Sequence, residues 1–133
     1  MPWSELHAAL SDVPAWRGRI LIDATNPVNQ PDFRLAELND RTSSEIVASL
    51  APGEHVVKVA NTLPVVLLSA DPNQAGGHRV LFMSGDDADA KTTVIEMLQK
   101  AGFAVVDLGA LATGRLQQFP GGSLPTLNLI KLG

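Results

Sequence analysis

The chain has 133 residues, of which 45% are hydrophobic and 18% charged, a balance that fits one globular domain over residues 1–133 and excludes a disordered chain. It contains no cysteine, which removes disulfides, thiolate nucleophiles and cysteine-ligated metals from consideration. Its net charge of −4 gives none of the basic excess that a nucleic-acid binder carries, and no apolar run approaches the roughly 20 residues of a membrane span. The first residues, Met1 to Glu5, are neither basic nor apolar, so the expectation is a cytoplasmic protein that binds no nucleic acid and no membrane.

In chain order, residues 4–10 read as a short helix with Leu6, Ala9 and Leu10 inward. A first strand follows at residues 19–23, and then a long loop at residues 26–40, rich in Pro, Asn and Asp. Residues 43–50 form a helix opened by a capping box, Thr42 with Glu45. A second strand covers residues 55–59. One or two helical turns are expected at residues 64–69 and a loop at 71–78. The third strand is residues 79–83. An amphipathic helix is expected at 88–101 with Ala90, Val94, Met97, Leu98 and Ala101 on its apolar face, Asp86 as its N-cap and Gly102 as its stop. The fourth strand is residues 104–108, followed by a helix near 111–118 and a final apolar segment at 124–132. The strands are nearly continuous in Val, Ile and Leu, which suits burial on both faces. The fold class is therefore α/β, a doubly wound, mostly parallel sheet of about four strands with flanking helices.

Ligands in such sheets sit beyond the carboxyl ends of the strands. Asn26 follows the first strand, where its amide suits a ribose or carboxamide; the competing reading is a turn before Pro27. Asn61, Thr62, Leu63 and Pro64 follow the second strand, either as a wall for a flat ring or as a strand-to-helix turn capped by Thr62. Ser84, Gly85, Asp86 and Asp87 follow the third, and two carboxylates there favour helix capping over phosphate binding. His7, His55 and His78 have no metal-ligand spacing, so no metal is expected. No nucleophile elbow, no Walker loop and no Gly-x-Gly-x-x-Gly is present, and no residue declares itself catalytic.

Several segments in order carry a family resemblance. They are Pro2-Trp3, Arg19-Ile20-Leu21-Ile22-Asp23-Ala24-Thr25-Asn26-Pro27, Ser43-Ser44-Glu45, Val57-Lys58-Val59-Ala60-Asn61-Thr62-Leu63-Pro64, Ser84-Gly85-Asp86-Asp87, Val106-Asp107-Leu108-Gly109 and Gly114-Arg115-Leu116. Together they resemble the dinucleotide-binding reductases related to coenzyme F-420:NADP oxidoreductase, with the cytosolic domains of the six-span metalloreductases as more distant relatives. Those proteins begin with a half that carries the glycine-rich fingerprint, and their Pro-Trp pair follows a fourth strand. The resemblance therefore implies a partial Rossmann-like fold corresponding to the carboxyl-terminal two-thirds of such a reductase. It implies NADP as cofactor, bound weakly or not at all by this chain alone. It implies hydride transfer between NADPH and a deazaflavin or flavin-like acceptor. Pro2, Trp3, Asn26, Pro27, Asn61, Thr62, Leu63 and Pro64 would border the cofactor, and Arg115 would meet an anionic group of the acceptor. The deazaflavin reductases have a histidine where Asn61 stands, so the acceptor stays open. The alternative is a non-catalytic α/β binding or assembly module. Either form would leave the edge of the first strand uncovered, and a homo-oligomer through that edge is expected.

Overall fold

A computed structural model describes residues 2–12, 17–29 and 32–133. The amino-terminal segment is a 3-10 turn, Trp3–Glu5, running into helix α1, Leu6–Ser11. Leu6 and Leu10 face inward, one helical turn apart, while Ala9 is exposed. Strand β1, Ile20–Asp23, follows, then a small antiparallel pair, β2 (Val28–Asn29) and β3 (Arg34–Leu35). Helix α2, Ser43–Leu50, opens with the capping box foreseen from the sequence: the Thr42 hydroxyl accepts from the Glu45 amide, and the Glu45 carboxylate accepts from the Thr42 amide. Strand β4, His55–Val59, leads to the four-residue helix α3, Val65–Leu68. Strands β5 (Asn73–Gln74) and β6 (Gly77–Gly85) form a hairpin, and helix α4, Ala88–Lys100, follows. Strand β7, Ala104–Asp107, a 3-10 segment Leu111–Gln117 and strand β8, Ile130–Leu132, complete the chain.

All four strands expected from the apolar runs are present, as β1, β4, β6 and β7. β1 lies parallel to β4, and β6 parallel to β7, but β6 runs antiparallel to β4. The reversal has a local cause. Asn73 pairs with His78 and Gln74 with Gly77, so only Ala75 and Gly76 form the loop. Both have positive φ, 50° and 81°, the signature of a tight primed turn that delivers β6 back along β5.

The central strands β4 and β6 are covered on both faces. Val57, Val59, Leu81 and Met83 alternate toward α4, which buries Ala90 and Val94 against them, while Met97 and Ala101, expected on the same face, are exposed because they lie toward the helix end beyond the sheet contact. Val56 points the other way, toward Leu6 and Leu10 of α1, Val47 of α2 and Leu111 of the 3-10 segment. The cap of α4 is Asp87 rather than Asp86: its carboxylate accepts from the Ala90 amide at 2.8 Å. Asp86 instead accepts from the amide of Leu111 at 3.0 Å, fixing the start of the 3-10 segment.

Candidate functional site

The parallel pair β1 and β4 ends side by side, with Asp23 in register with Lys58. Asp23 accepts from the amide of Thr25 at 2.9 Å and from its hydroxyl at 2.7 Å, which bends the chain immediately after the strand. This turn presents Asn26. After β4, Ala60 adopts a φ of 66°, a left-handed conformation that a residue with a Cβ adopts at a cost, and the chain turns to present Asn61. The two asparagines bond reciprocally: Asn61 Nδ2 donates to Asn26 Oδ1 at 2.9 Å, and Asn26 Nδ2 donates to the Asn61 carbonyl at 3.1 Å. Asn61 Nδ2 also donates to the Gln117 carbonyl at 2.7 Å. Both amide hydrogens thus have acceptors, which fixes the orientation of the side chain. Its Oδ1 is buried and has no hydrogen-bond partner among the described residues.

Two adjoining depressions meet at this pair. One, of about 360 Å³, is lined by Pro2, Trp3, Thr25, Asn26, Phe33 and Phe119 among others. The second, of about 270 Å³, is lined by Asn26, Asn61, Thr62, Leu63, Pro64, Phe119, Pro125 and Thr126. Asn26 and Phe119 belong to both. The structure therefore gathers Pro2, Trp3, Asn26, Asn61, Thr62, Leu63 and Pro64 around one cleft. Pro27 does not line it; it is buried beneath, where its carbonyl accepts from the Ala36 amide at 2.8 Å. Thr62 does not cap α3, whose N-cap is Pro64; its carbonyl accepts from the Thr126 amide at 2.7 Å and ties the far wall in place. Thr126 and Phe33 have φ of 72° and 55°, so with Ala60 three strained residues flank the same cleft.

Arg115 stands apart. It lines a third and larger depression of about 680 Å³ with Arg41, Glu37, Asp40 and Gln118, and donates to the Asp40 carbonyl at 3.3 Å. Ser84 to Asp87 lie apart as well. Because β6 is reversed, Gly85 pairs with Val57, toward the amino end of β4 and away from Asn61.

Sequence reading missed Phe33, Phe119, Pro125 and Thr126, which reach the cleft from loops whose composition says only that they turn. It also missed Lys58 and Gln117, both fully buried. A lysine inside the apolar run Val56-Val57-Lys58-Val59 was the available signal. Burial pushes the Lys58 ammonium below its ordinary 10.5, and the nearby Asp23 carboxylate opposes that shift.

No protein-family model matches the chain. It is 35% identical to metalloreductase STEAP3 of Rattus norvegicus over 116 residues, covering 83% of this chain and 22% of that protein. It is 30% identical to human metalloreductase STEAP2 over 98 residues, covering 74% and 18% respectively. A hypothetical protein from Sinorhizobium meliloti superposes with a TM-score of 0.91 at 46% identity, over 98% of this chain and 63% of that one. A protein from Arthrobacter sp. FB24, provisionally described as an F-420-dependent NADP reductase, superposes with a TM-score of 0.71 at 32% identity, over 86% and 55%. The resemblance to an NADP reductase family is borne out. The chain spans about a fifth of the metalloreductases it matches and little more than half of these two structures.

Proposed function

We propose that the chain is the nicotinamide-side portion of an NADP-dependent oxidoreductase, passing a hydride between NADPH and a small acceptor of the deazaflavin or flavin type. The observation that carries this reading is the reciprocal Asn26–Asn61 pair at the floor of an apolar-walled cleft, at the carboxyl ends of two parallel strands. Trp3, Phe33 and Phe119 on one side, and Leu63, Pro64 and Pro125 on the other, supply flat walls for stacked rings. The nicotinamide cofactor would supply the hydride. The residues bind and orient the rings and keep water from them, which is most of what such a transfer requires. Arg115, in its separate depression, would hold an anionic group of the acceptor. The 133 residues contain no Gly-x-Gly-x-x-Gly turn to cradle a pyrophosphate, so this chain alone binds NADPH weakly.

Reduced nicotinamide mononucleotide, which carries only the nicotinamide end, tests the reading directly. Titrated into the ¹⁵N-labelled chain, it shifts the resonances of Asn26, Asn61, Thr62 and Phe119. Shifts elsewhere, or none at millimolar nucleotide, refute the assignment. The second reading, a non-catalytic binding or assembly module, draws on β1. Among the described residues this strand pairs only with β4, and Ile20 and Ile22 are 36% and 41% exposed.

A further inference from the structure

Lys58 and Asp23 form the most deeply buried ion pair among the described residues, and the hydride-transfer reading gives them no task. The ammonium lies 3.7 Å from Asp23 Oδ2, donates to the Thr25 carbonyl at 3.0 Å and donates to the Ser43 hydroxyl at 3.1 Å. Asp23 Oδ2 also accepts from the Ser44 hydroxyl at 2.6 Å, while Oδ1 takes the amide and hydroxyl of Thr25. Two protons of the ammonium have acceptors within hydrogen-bond distance, the Asp23 carboxylate balances its charge at 3.7 Å, and both carboxylate oxygens have donors.

An apolar pair of similar volume would serve stability at least as well, because a buried ion pair must be stripped of water to form. The partners show what else the pair does. They are the turn just before Asn26 and the first turn of α2, and nothing on the opposite face of the sheet. Lys58 is also joined to the cleft by a second route: its carbonyl accepts from Gln117 Nε2 at 3.3 Å, and the Gln117 carbonyl receives the Asn61 amide. Each asparagine of the reciprocal pair is thus held by a chain of bonds that starts at Lys58.

We infer that the Asp23–Lys58 pair is a positioning device: it holds the turn at Thr25 so that Asn26 meets Asn61 and the cleft keeps its shape. Lys58 and Asp23 touch no ligand. They act through Thr25, and Ser43 and Ser44 anchor them to α2. The functional consequence rests on the nicotinamide reading above, but the positioning itself does not.

The test compares wild type with the double variant Asp23→Leu/Lys58→Met and with Ser44→Ala. Melting temperature, amide hydrogen exchange at Thr25 and Asn26, and the side-chain amide resonances of Asn26 and Asn61 are read in each. Titration with reduced nicotinamide mononucleotide follows. In the double variant the melting temperature stays within a few degrees of wild type. Exchange at Asn26 rises at least tenfold, the paired side-chain amide signals collapse toward solvent-exposed values, and nucleotide affinity falls at least tenfold. Ser44→Ala, which removes one bond, moves the same signals in the same direction by less. A double variant that keeps the paired amide signals, or that fails to fold, overturns the inference, since the pair would then be dispensable or purely stabilising. If wild type itself binds no nucleotide, the nicotinamide reading fails, and the amide signals alone decide the positioning role.

Discussion

Replacing Gly114 by alanine sets two physical effects against each other. Gly114 lies in the 3-10 segment and is buried. On propensity alone, alanine in a helical turn stabilises by about 0.5–1 kcal/mol. The packing points the other way. A Cβ here would lie 2.7 Å from Ser84 Oγ, 3.4 Å from Lys58 Cδ and 3.5 Å from Gln117 Oε1. Ser84 Oγ has nowhere cheap to go, since it donates to Gln117 Oε1 at 2.6 Å in a fully buried setting. Overpacking costs about 1–3 kcal/mol, and breaking a buried hydrogen bond about 1–3 kcal/mol more. After subtracting the propensity gain, Gly114→Ala destabilises by about 1–4 kcal/mol, given that the two costs overlap. For a domain of this size that lowers the melting temperature by roughly 5–15 °C. Urea denaturation with an unchanged m-value measures it. Ser84→Ala in the same background removes the clashing atom, so the pair of substitutions costs less than the sum, by about 1–2 kcal/mol. A stabilised Gly114→Ala protein, or a coupling energy near zero, would show that the 3-10 segment does not press on Ser84.

Asn61→Asp places a carboxylate oxygen where Nδ2 meets two acceptor oxygens, so it destabilises by more than the roughly 1–3 kcal/mol expected of Asn61→Ala; calorimetry of the two variants at neutral pH orders them, and the reverse order breaks the argument. Lys58 binds its proton less tightly when folded, so the unfolded chain holds more protons in the window just below pH 10.5, and stability tied to this group rises with pH through that window. The chain has no tyrosine or cysteine to obscure the effect, and Lys58→Met removes the rise; equal pH slopes for the two proteins would sink it. The exposed edge of β1 leads to self-association at tens of micromolar, about the range where unpaired edges meet; sedimentation that shows a monomer there, or an Ile22→Lys variant that associates as strongly, counts against it. Arg115→Ala raises the KM for the acceptor several-fold and leaves kcat little changed, because it removes binding common to ground and transition states; an unchanged KM separates the large depression from the acceptor.

The strands were legible because β4 and β6, buried along nearly their whole length, read as unbroken apolar runs, and β1 and β7 carry similar apolar runs although half of their residues are exposed. Helix α2 was legible because its capping box is a local pattern at fixed spacing. The β2–β3 and β5–β6 hairpins were not, since β2, β3 and β5 have two residues each and are held by backbone bonds that leave no apolar trace. The reversed direction of β6 was hidden for the same reason: it rests on positive φ at Ala75 and Gly76, and alanine does not advertise that conformation. In the site, Asn26 and Asn61 were found because both follow strands. Their bond to each other could not be found, because it spans 35 residues and depends on two turns closing together. Asp86 and Asp87 were both visible as caps, but which one caps α4 is decided by the Leu111 amide, brought in by the tertiary fold. Phe119 carries no local signal, and only the return of the chain after Gln117 brings it to the cleft.

Strand β6 has a further consequence, which concerns how the domain comes apart. Its nine residues pair with β4, β5, β7 and β8, while among the described residues β1 reaches the rest of the sheet only through β4. Opening any one of those four neighbours leaves β6 held by the other three, so β6 is the last strand to come free. β1 can peel away alone. The strand that leads into the Asn26 turn is then, like the other strands with a single neighbour, less protected than β6, and the cleft sits where a rigid hub meets a hinged margin.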